Sequence, residues 1–505
     1  MEDVKKSEKF AVIVDETADV SKKEQVSVCL SYVANGVKKE AFVGYFTTKS
    51  TEGEVLYELV TKAIKDLGLN LKDIVGQCYD GAANMSGIKK GLAVRMKETS
   101  PLAIYVHCYG HLLNLAIKDT MNNIKSLRHT LATIQSLYNF LEGSPKRHAL
   151  FHGIKVNGKS IIKTLKSLSV TRWSCHKEAV EAIYEELEAI VRALLILVKD
   201  ADNKIYKQAE DLLNNICDFN FIFGLCILKF ILDSTNSLSS FLQGKEIDIY
   251  TARKNSFLTI ESLKSCRNEN NFSLLWEKAE ILCNKISDCI VDTDFSIKEA
   301  RIYGKKSTRR CEAHRTPKSY HRIFTYYAAL DQVEAQLTER LSSNDHDILF
   351  SLGDIIFKDD PKETSFSTVC NFYDLDEDLL KADFRIFKTI KKNDENLNFT
   401  NASKVYEFLH QGENFYLPEF DKIVKILAVI PSTTATAERS FSGLRRTKTS
   451  FRNSLGQDML NNTSIIHLNR DYSNQVKKND IGVITDEFGS ENKRKKTFLL
   501  RIPSY

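Results

Sequence analysis

The sequence predicts an α/β plus α fold, a mixed sheet followed by a long block that is nearly all helix. Three observations carry this. Residues 10–46 hold three short β-branched runs, and strand and helix signals then alternate to residue 108. Strand signals nearly vanish between residues 111 and 410, where apolar residues recur at helical spacing. Only 7 Pro and 21 Gly in 505 residues leave little material for long coil or many tight turns.

Taken in order, Phe-Ala-Val-Ile-Val-Asp at 10–15 reads as the first strand, and residues 26–33 and 39–46 as the next two. Asn35-Gly36 between these two is a hairpin signal, because both positions of the favoured turn need positive φ. Residues 52–67 place Val55, Leu56, Leu59, Val60, Ala63, Ile64 and Leu67 on one helical face. A fourth strand follows at 74–80, a helix at 87–98 and a fifth strand at 104–108. Long helical stretches then run over 112–141, 175–198, 204–232, 274–291 and 320–341. Residues 359–398 are polar and acidic and read as a surface loop or flexible connector. Helical character returns at 420–430, 436–446 and 454–470, and periodicity fades from Asn474 onward.

Composition narrows the class. Hydrophobic residues at 43% and charged residues at 27% are those of a globular chain. A length of 505 exceeds one compact core, so two to four domains, or one fold with a large insertion, are expected. Eleven Cys, an odd number without framework spacing, and an N-terminal Met-Glu-Asp-Val-Lys-Lys without an apolar run point to reduced thiols inside the cell. The apolar stretch 219–232 is interrupted by Asn220 and Lys229 and reads as a buried helix, so no membrane association is expected. The net charge of +5 identifies no partner by itself.

Asp15 ends the first strand and Asp80 the fourth, so neighbouring strands would bring both carboxylates to one sheet edge. Nucleic-acid strand-transfer enzymes need hard oxygen ligands for two Mg²⁺ roughly 4 Å apart. An Asp at a strand end is otherwise a turn or cap residue, and no third acid is evident between residues 80 and 110. Cys108 and His111 form a Cys-x2-His pair, two ligands where a closed zinc site needs four; packing is the alternative. The segment 301–322 carries Arg301, Lys305, Lys306, Arg309, Arg310, Arg315, Lys318 and Arg322 against the single acid Glu312, with Tyr303, His314, Tyr320 and His321 between. It reads either as a phosphate-contacting surface or as a solvated loop. Arg439, Arg445, Arg446, Lys448 and Arg452 form a second basic cluster, and Lys493-Arg-Lys-Lys496 is a nuclear-import signal or a soluble tail.

Five motifs in order carry a family resemblance. They are Asp15-Glu-Thr-Ala-Asp19; Gln77-Cys-Tyr-Asp80-Gly-Ala-Ala-Asn-Met-Ser-Gly87; Tyr105-Val-His-Cys108-Tyr-Gly-His111-Leu-Leu-Asn-Leu-Ala116; Leu168-Ser-Val-Thr-Arg172-Trp173-Ser-Cys175; and Thr434-Ala-Thr-Ala-Glu438-Arg439-Ser-Phe441-Ser442. Together they resemble hAT-superfamily transposases, and most closely the hAT-derived group related to zinc-finger MYM-type proteins.

The resemblance implies an RNase H-like mixed-sheet core interrupted by a large helical insertion. The domains expected are 1–111 (first part of the core), 112–410 (insertion), 411–475 (a hAT C-terminal dimerisation region completing the core) and 476–505 (a flexible basic tail). It supplies Glu438 as the third member of an acidic triad with Asp15 and Asp80 that binds two Mg²⁺ or Mn²⁺. Without it, Glu438 is a first-turn helix residue favoured by the dipole. It gives Trp173 a base-stacking role and Arg172 a phosphate contact, where a lone Trp otherwise reads as core. It places Cys108 and His111 beside the active site.

The partners implied are DNA and a second copy through the C-terminal region, as a homodimer or higher oligomer, with no small-molecule cofactor and a nuclear location. Family members carry an N-terminal DNA-reading zinc finger, and no finger spacing precedes the first strand here. Two readings follow: a two-metal DNA cleavage and strand-transfer core, or a domesticated, catalytically silent nuclear protein that dimerises and binds nucleic acid or protein partners.

Overall fold

The computed structural model describes residues 2–154, 163–168, 173–200, 203–244, 247–302, 316–341, 347–393, 397, 399–411 and 416–490. It forms two compact units: Met1–Cys108 with Gly244–Thr251 and Asp345–Tyr505, and Tyr109–Gln243 with Ala252–Asn344.

The first unit is built on five strands, β1 (Phe10–Ala18), β2 (Glu24–Ala34), β3 (Val37–Thr48), β4 (Ile74–Tyr79) and β5 (Ile104–His107). Their order is β3-β2-β1-β4-β5, the mixed sheet of the expected RNase H-like core. β1, β2 and β3 pair antiparallel, whereas β4 runs parallel to β1 and β5 parallel to β4. Asn35 (φ 53°) and Gly36 (φ 72°) make the left-handed turn between β2 and β3. Strand alternation divides the core. Val12 and Val14 pack with Leu56, Val60 and Ile64 of the helix Gly53–Asp66 and with Leu92 and Met96 of the helix Leu92–Thr99. Ile13 faces the other way and packs with Cys29, Phe42 and Tyr45 against Ala437, Phe441 and Leu444 of the helix Ala435–Thr447. The C-terminal helices therefore cover the second face of the N-terminal sheet.

β3 is an edge strand, and side-chain amides close it. Asn461 accepts from Tyr45 N–H (2.9 Å) and donates to Tyr45 C=O (2.9 Å), and Asn469 does the same for Phe42 (3.0 and 3.0 Å). Each amide reproduces the pair of bonds that a neighbouring strand would make.

The second unit is all helix among its described residues. Its centre is Phe219–Leu242, buried along most of its length by the helices Lys125–Leu141, Trp173–Glu185 and Glu269–Ile290. Among the described residues it is the one helix long and apolar enough to cross a membrane, yet 67% of its apolar window is buried inside the protein, as expected for a core helix.

Three expectations are corrected. The helical insertion ends earlier than residue 410: residues from 345 belong with the sheet, as does 244–251. Helices on the two sides of that boundary share one periodicity, and only their packing partners tell them apart. Residues 359–398 are largely the helices Glu363–Tyr373 and Glu377–Asn393, the latter burying Leu380, Asp383, Phe384 and Phe387 at helical intervals. The expected tail begins in helix, with Arg470–Asn479 and Ile481–Ser490 mostly exposed. The basic run at 493–496 lies outside the described residues.

Candidate active site

β1 and β4 bring the first two acids together. Ile13 and Cys78 are partners across the parallel pair, and Asp15 and Asp80 each follow by two residues at the same end of the sheet. Asp15 shares the face of Ile13, which the helix Ala435–Thr447 covers, and Glu438 stands in the first turn of that helix. All three carboxylates are partly buried. Burial holds the Asp15 carboxyl well above its ordinary range, and the negative charges of Glu438 and then Asp80 push it further; the Glu16 N–H, donating to Asp15 Oδ1 at 2.9 Å, works the other way.

The surroundings fix these acids. Ala82 N–H donates to Asp80 Oδ1 (3.1 Å), and Tyr105 Oη donates to the Asp80 carbonyl (3.0 Å). Gly81 lies so close to the His107 ring that a Cβ there would meet its Cε1 at 2.3 Å. Thr434 Oγ1 is 3.2 Å from Glu438 Oε1 and 3.3 Å from Cys108 Sγ, so its single proton serves one acceptor at a time. Thr434 N–H donates to Cys108 Sγ at 3.3 Å, and Cys108 N–H donates to the Tyr79 carbonyl at 2.9 Å. Cys108 thus ties the start of the Glu438 helix to the strand that carries Asp80. His111 stands on the helix Tyr109–Asn123 of the second unit.

A fourth acid escaped the sequence reading. Glu16, on the opposite side of β1 from Asp15, accepts from Asn84 Nδ2 at 3.0 Å, while its buried Oε2 has no hydrogen-bond partner among the described residues. Burial raises its carboxyl above the ordinary value, and the Asp80 charge adds to this against the Asn84 hydrogen bond. The signal was its place beside Asp15 within the first motif. Among the described residues, no ion pair involves Asp15, Glu16, Asp80 or Glu438. Uncompensated carboxylate oxygens of this kind suit a hard divalent cation such as Mg²⁺ or Mn²⁺.

The expected nucleic-acid contacts divide. Arg445 and Arg446 are exposed on the Glu438 helix. Arg439 donates to Thr436 Oγ1 at 2.5 Å and lies 3.6 Å from the Glu40 carboxylate. Arg439 and Arg446 line a groove of about 690 Å³ that Lys39 and Arg470 also face. In the second unit, Arg322 pairs with Glu269 at 2.5 Å, and Lys318 Nζ sits 5.6 Å from the centre of the Trp276 ring. His321, expected on the basic surface, is fully buried, with Nε2 3.0 Å from Asn220 Oδ1 and Nδ1 3.1 Å from Thr325 Oγ1. Trp173 opens the helix Trp173–Glu185. Its side chain, Arg172, Arg309, Arg310 and Arg315 lie outside the described residues.

Residues 1–91 match the family described as ZMYM1/FAM200, RNase-like domain, and residues 387–469 match the hAT family C-terminal dimerisation region. Among curated relatives, the human "52 kDa repressor of the inhibitor of the protein kinase" is 24% identical over 508 residues, covering 97% of this chain and 64% of that protein. The mouse protein of the same name is 23% identical over 505 residues, covering 97% and 65%. The chain therefore spans just under two-thirds of the length of these relatives. One family match lies on the sheet that bears Asp15 and Asp80 and the other on the helices that bring Glu438 to it, so that both ends of the site are similar to hAT-derived, transposase-like proteins.

Proposed function

We propose that this chain is a DNA-processing core of transposase type, acting on DNA phosphates at Asp15, Asp80 and Glu438. The observation that carries the reading is the convergence of these acids: burial, then the charges of Glu438 and Asp80, raise the Asp15 carboxyl, and among the described residues no cation pairs with any of the three. A site that holds unpaired carboxylates together against that cost is organised to receive positive charge. Asp15, Asp80 and Glu438 would hold Mg²⁺ or Mn²⁺, which supplies charge neutralisation at a phosphate and activation of the attacking oxygen. Glu16, held by Asn84, adds a further negative charge that Asp80 feels. Thr434 and Cys108 position Glu438. Arg439, Arg445 and Arg446 supply phosphate contacts on the same helix.

The test is metal-dependent nicking of labelled hairpin and element-end DNA, comparing the wild type with Asp80→Asn. Cleavage by the wild type with Mg²⁺ or Mn²⁺, abolished by the substitution, supports the reading. A folded, DNA-binding wild type that leaves every substrate intact overturns it.

The relatives are repressors by name, which favours a second reading: a nuclear regulatory protein that binds DNA or protein partners without cutting. In either case the chain pairs with a second copy. The support is the dimerisation-region match at 387–469, together with the exposed Phe451, Met459 and Ile466 within it.

A further inference from the structure

We propose that Glu142, His148 and His152, in the helical second unit, form a zinc-type metal site separate from the acidic cluster. Glu142 caps the end of the helix Lys125–Leu141, and after Gly143 the chain reverses. Pro145 then opens the helix Pro145–Gly153, a position where its missing N–H costs nothing. His148 and His152 are one turn apart on this helix, so their rings share a face, with centroids 4.2 Å apart. The reversal brings the Glu142 carboxylate against that face. His148 Nδ1 is 2.5 Å from Glu142 Oε2, and His152 Nε2 is 3.9 Å from Glu142 Oε1. One ligand atom from each residue can be chosen so that all three lie within 4.8 Å of one another.

Three features separate this cluster from a chance meeting of polar side chains. His152 Nε2 is buried and has no hydrogen-bond partner among the described residues, the Glu142 carboxylate standing beyond hydrogen-bond reach at 3.9 Å. The Glu142 side chain is only 10% exposed and pairs with no Lys or Arg among the described residues; its ion-pair partners are the two imidazoles. Leu165 N–H donates to Glu142 Oε1 at 3.2 Å, an outer hydrogen bond of the kind that orients a ligating carboxylate.

Two imidazoles and one carboxylate suit Zn²⁺ better than Mg²⁺ or Ca²⁺. Tetrahedral zinc with bonds of about 2.0–2.2 Å sets its ligand atoms about 3.4 Å apart, between the shortest and longest spacings seen here. The His148 and His152 side chains, 43% and 26% exposed, have room to turn into place. Three protein ligands leave a fourth position for water or an incoming group.

The test titrates the full chain with zinc chloride in excess Mg²⁺, which keeps carboxylate-only sites occupied, and reads the metal's neighbours by X-ray absorption. The expected result is one tightly bound zinc with two imidazole neighbours and oxygen. His148→Ala and Glu142→Gln should each weaken binding about 100-fold with an unchanged circular dichroism spectrum, because His148 is substantially exposed and Gln keeps the size of Glu142 and an acceptor for Leu165 N–H. Asp80→Asn should leave zinc binding intact. The proposal fails if the folded wild type binds no zinc, if the two substitutions leave its affinity unchanged, or if sulfur dominates the metal's neighbours.

Discussion

Lys448 Nζ lies 2.6 Å from Asp19 Oδ2, and the two side chains are 3% and 0% exposed. This buried ion pair joins the end of β1 to the end of the Glu438 helix. Gln25 Nε2 (3.0 Å) and the N–H groups of Ser21 (2.7 Å) and Lys23 (3.1 Å) complete the Asp19 shell. Removing one partner leaves an uncompensated buried charge, so Lys448→Met should cost about 3–5 kcal/mol in urea unfolding. The double variant with Asp19→Leu should recover part of that loss. Burial opposes ionisation of Asp19, but the Lys448, Gln25 and backbone hydrogen bonds outweigh it and hold the carboxyl below its ordinary 3.8. The stabilisation is therefore complete above pH 3.8 and lost as pH falls through the lower folded value, and Asp19→Asn should flatten that acid limb.

Asp15 behaves in the opposite sense. Its carboxyl is raised, so its ionisation destabilises the metal-free fold as pH climbs past the ordinary value of 3.8. Asp15→Asn should therefore stabilise the metal-free protein at neutral pH. Thermal unfolding with and without Mn²⁺ checks both halves: the ion should raise the wild-type midpoint clearly and that of the variant little.

Phe451, Met459 and Ile466 are 98%, 59% and 64% exposed within the segment matching the dimerisation region. Phe451→Asp combined with Ile466→Glu should shift light-scattering mass towards one chain. Because both positions are solvent-facing in the single chain, unfolding free energy should change by no more than about 0.5 kcal/mol each.

Asn461 makes two bonds to Tyr45, and Gln457 Nε2 also donates to the Tyr45 carbonyl, at 2.8 Å. Asn461→Ala therefore orphans chiefly the Tyr45 N–H, at a cost of about 1–3 kcal/mol. Hydrogen exchange at that amide should quicken while β1 amides keep their protection.

The sheet was legible because its signals are local. Asn35-Gly36 has one strong turn solution, and the β-branched runs around Ile13 and Val28 bury residues on both faces. The two strand-end Asp residues followed from the parallel pairing. Glu438 did not, because nothing in a helix's periodicity says which sheet it will cover; the ordered motifs supplied it. Residues 359–398 misled through their surface charge, although Leu380, Phe384 and Phe387 carry a helical stripe. His321 misled in the same way: its basic neighbours suggested an interface, whereas Asn220 and Thr325 hold it in the core. The Glu142, His148 and His152 cluster has no recognisable spacing, because the chain reversal that assembles it lies between its members.

The amide caps on β3 also set a timetable. A ribosome makes the sheet long before it makes Asn461 and Asn469, so for much of synthesis the outer strand offers bare N–H and C=O groups to any neighbouring chain. Glu438 emerges in the same late stretch. The nascent protein is therefore adhesive before it is chemically complete, and a product terminated ahead of Thr434 should be found in inclusion bodies or on chaperones, with two of its three clustered acids and no helix to shield the edge.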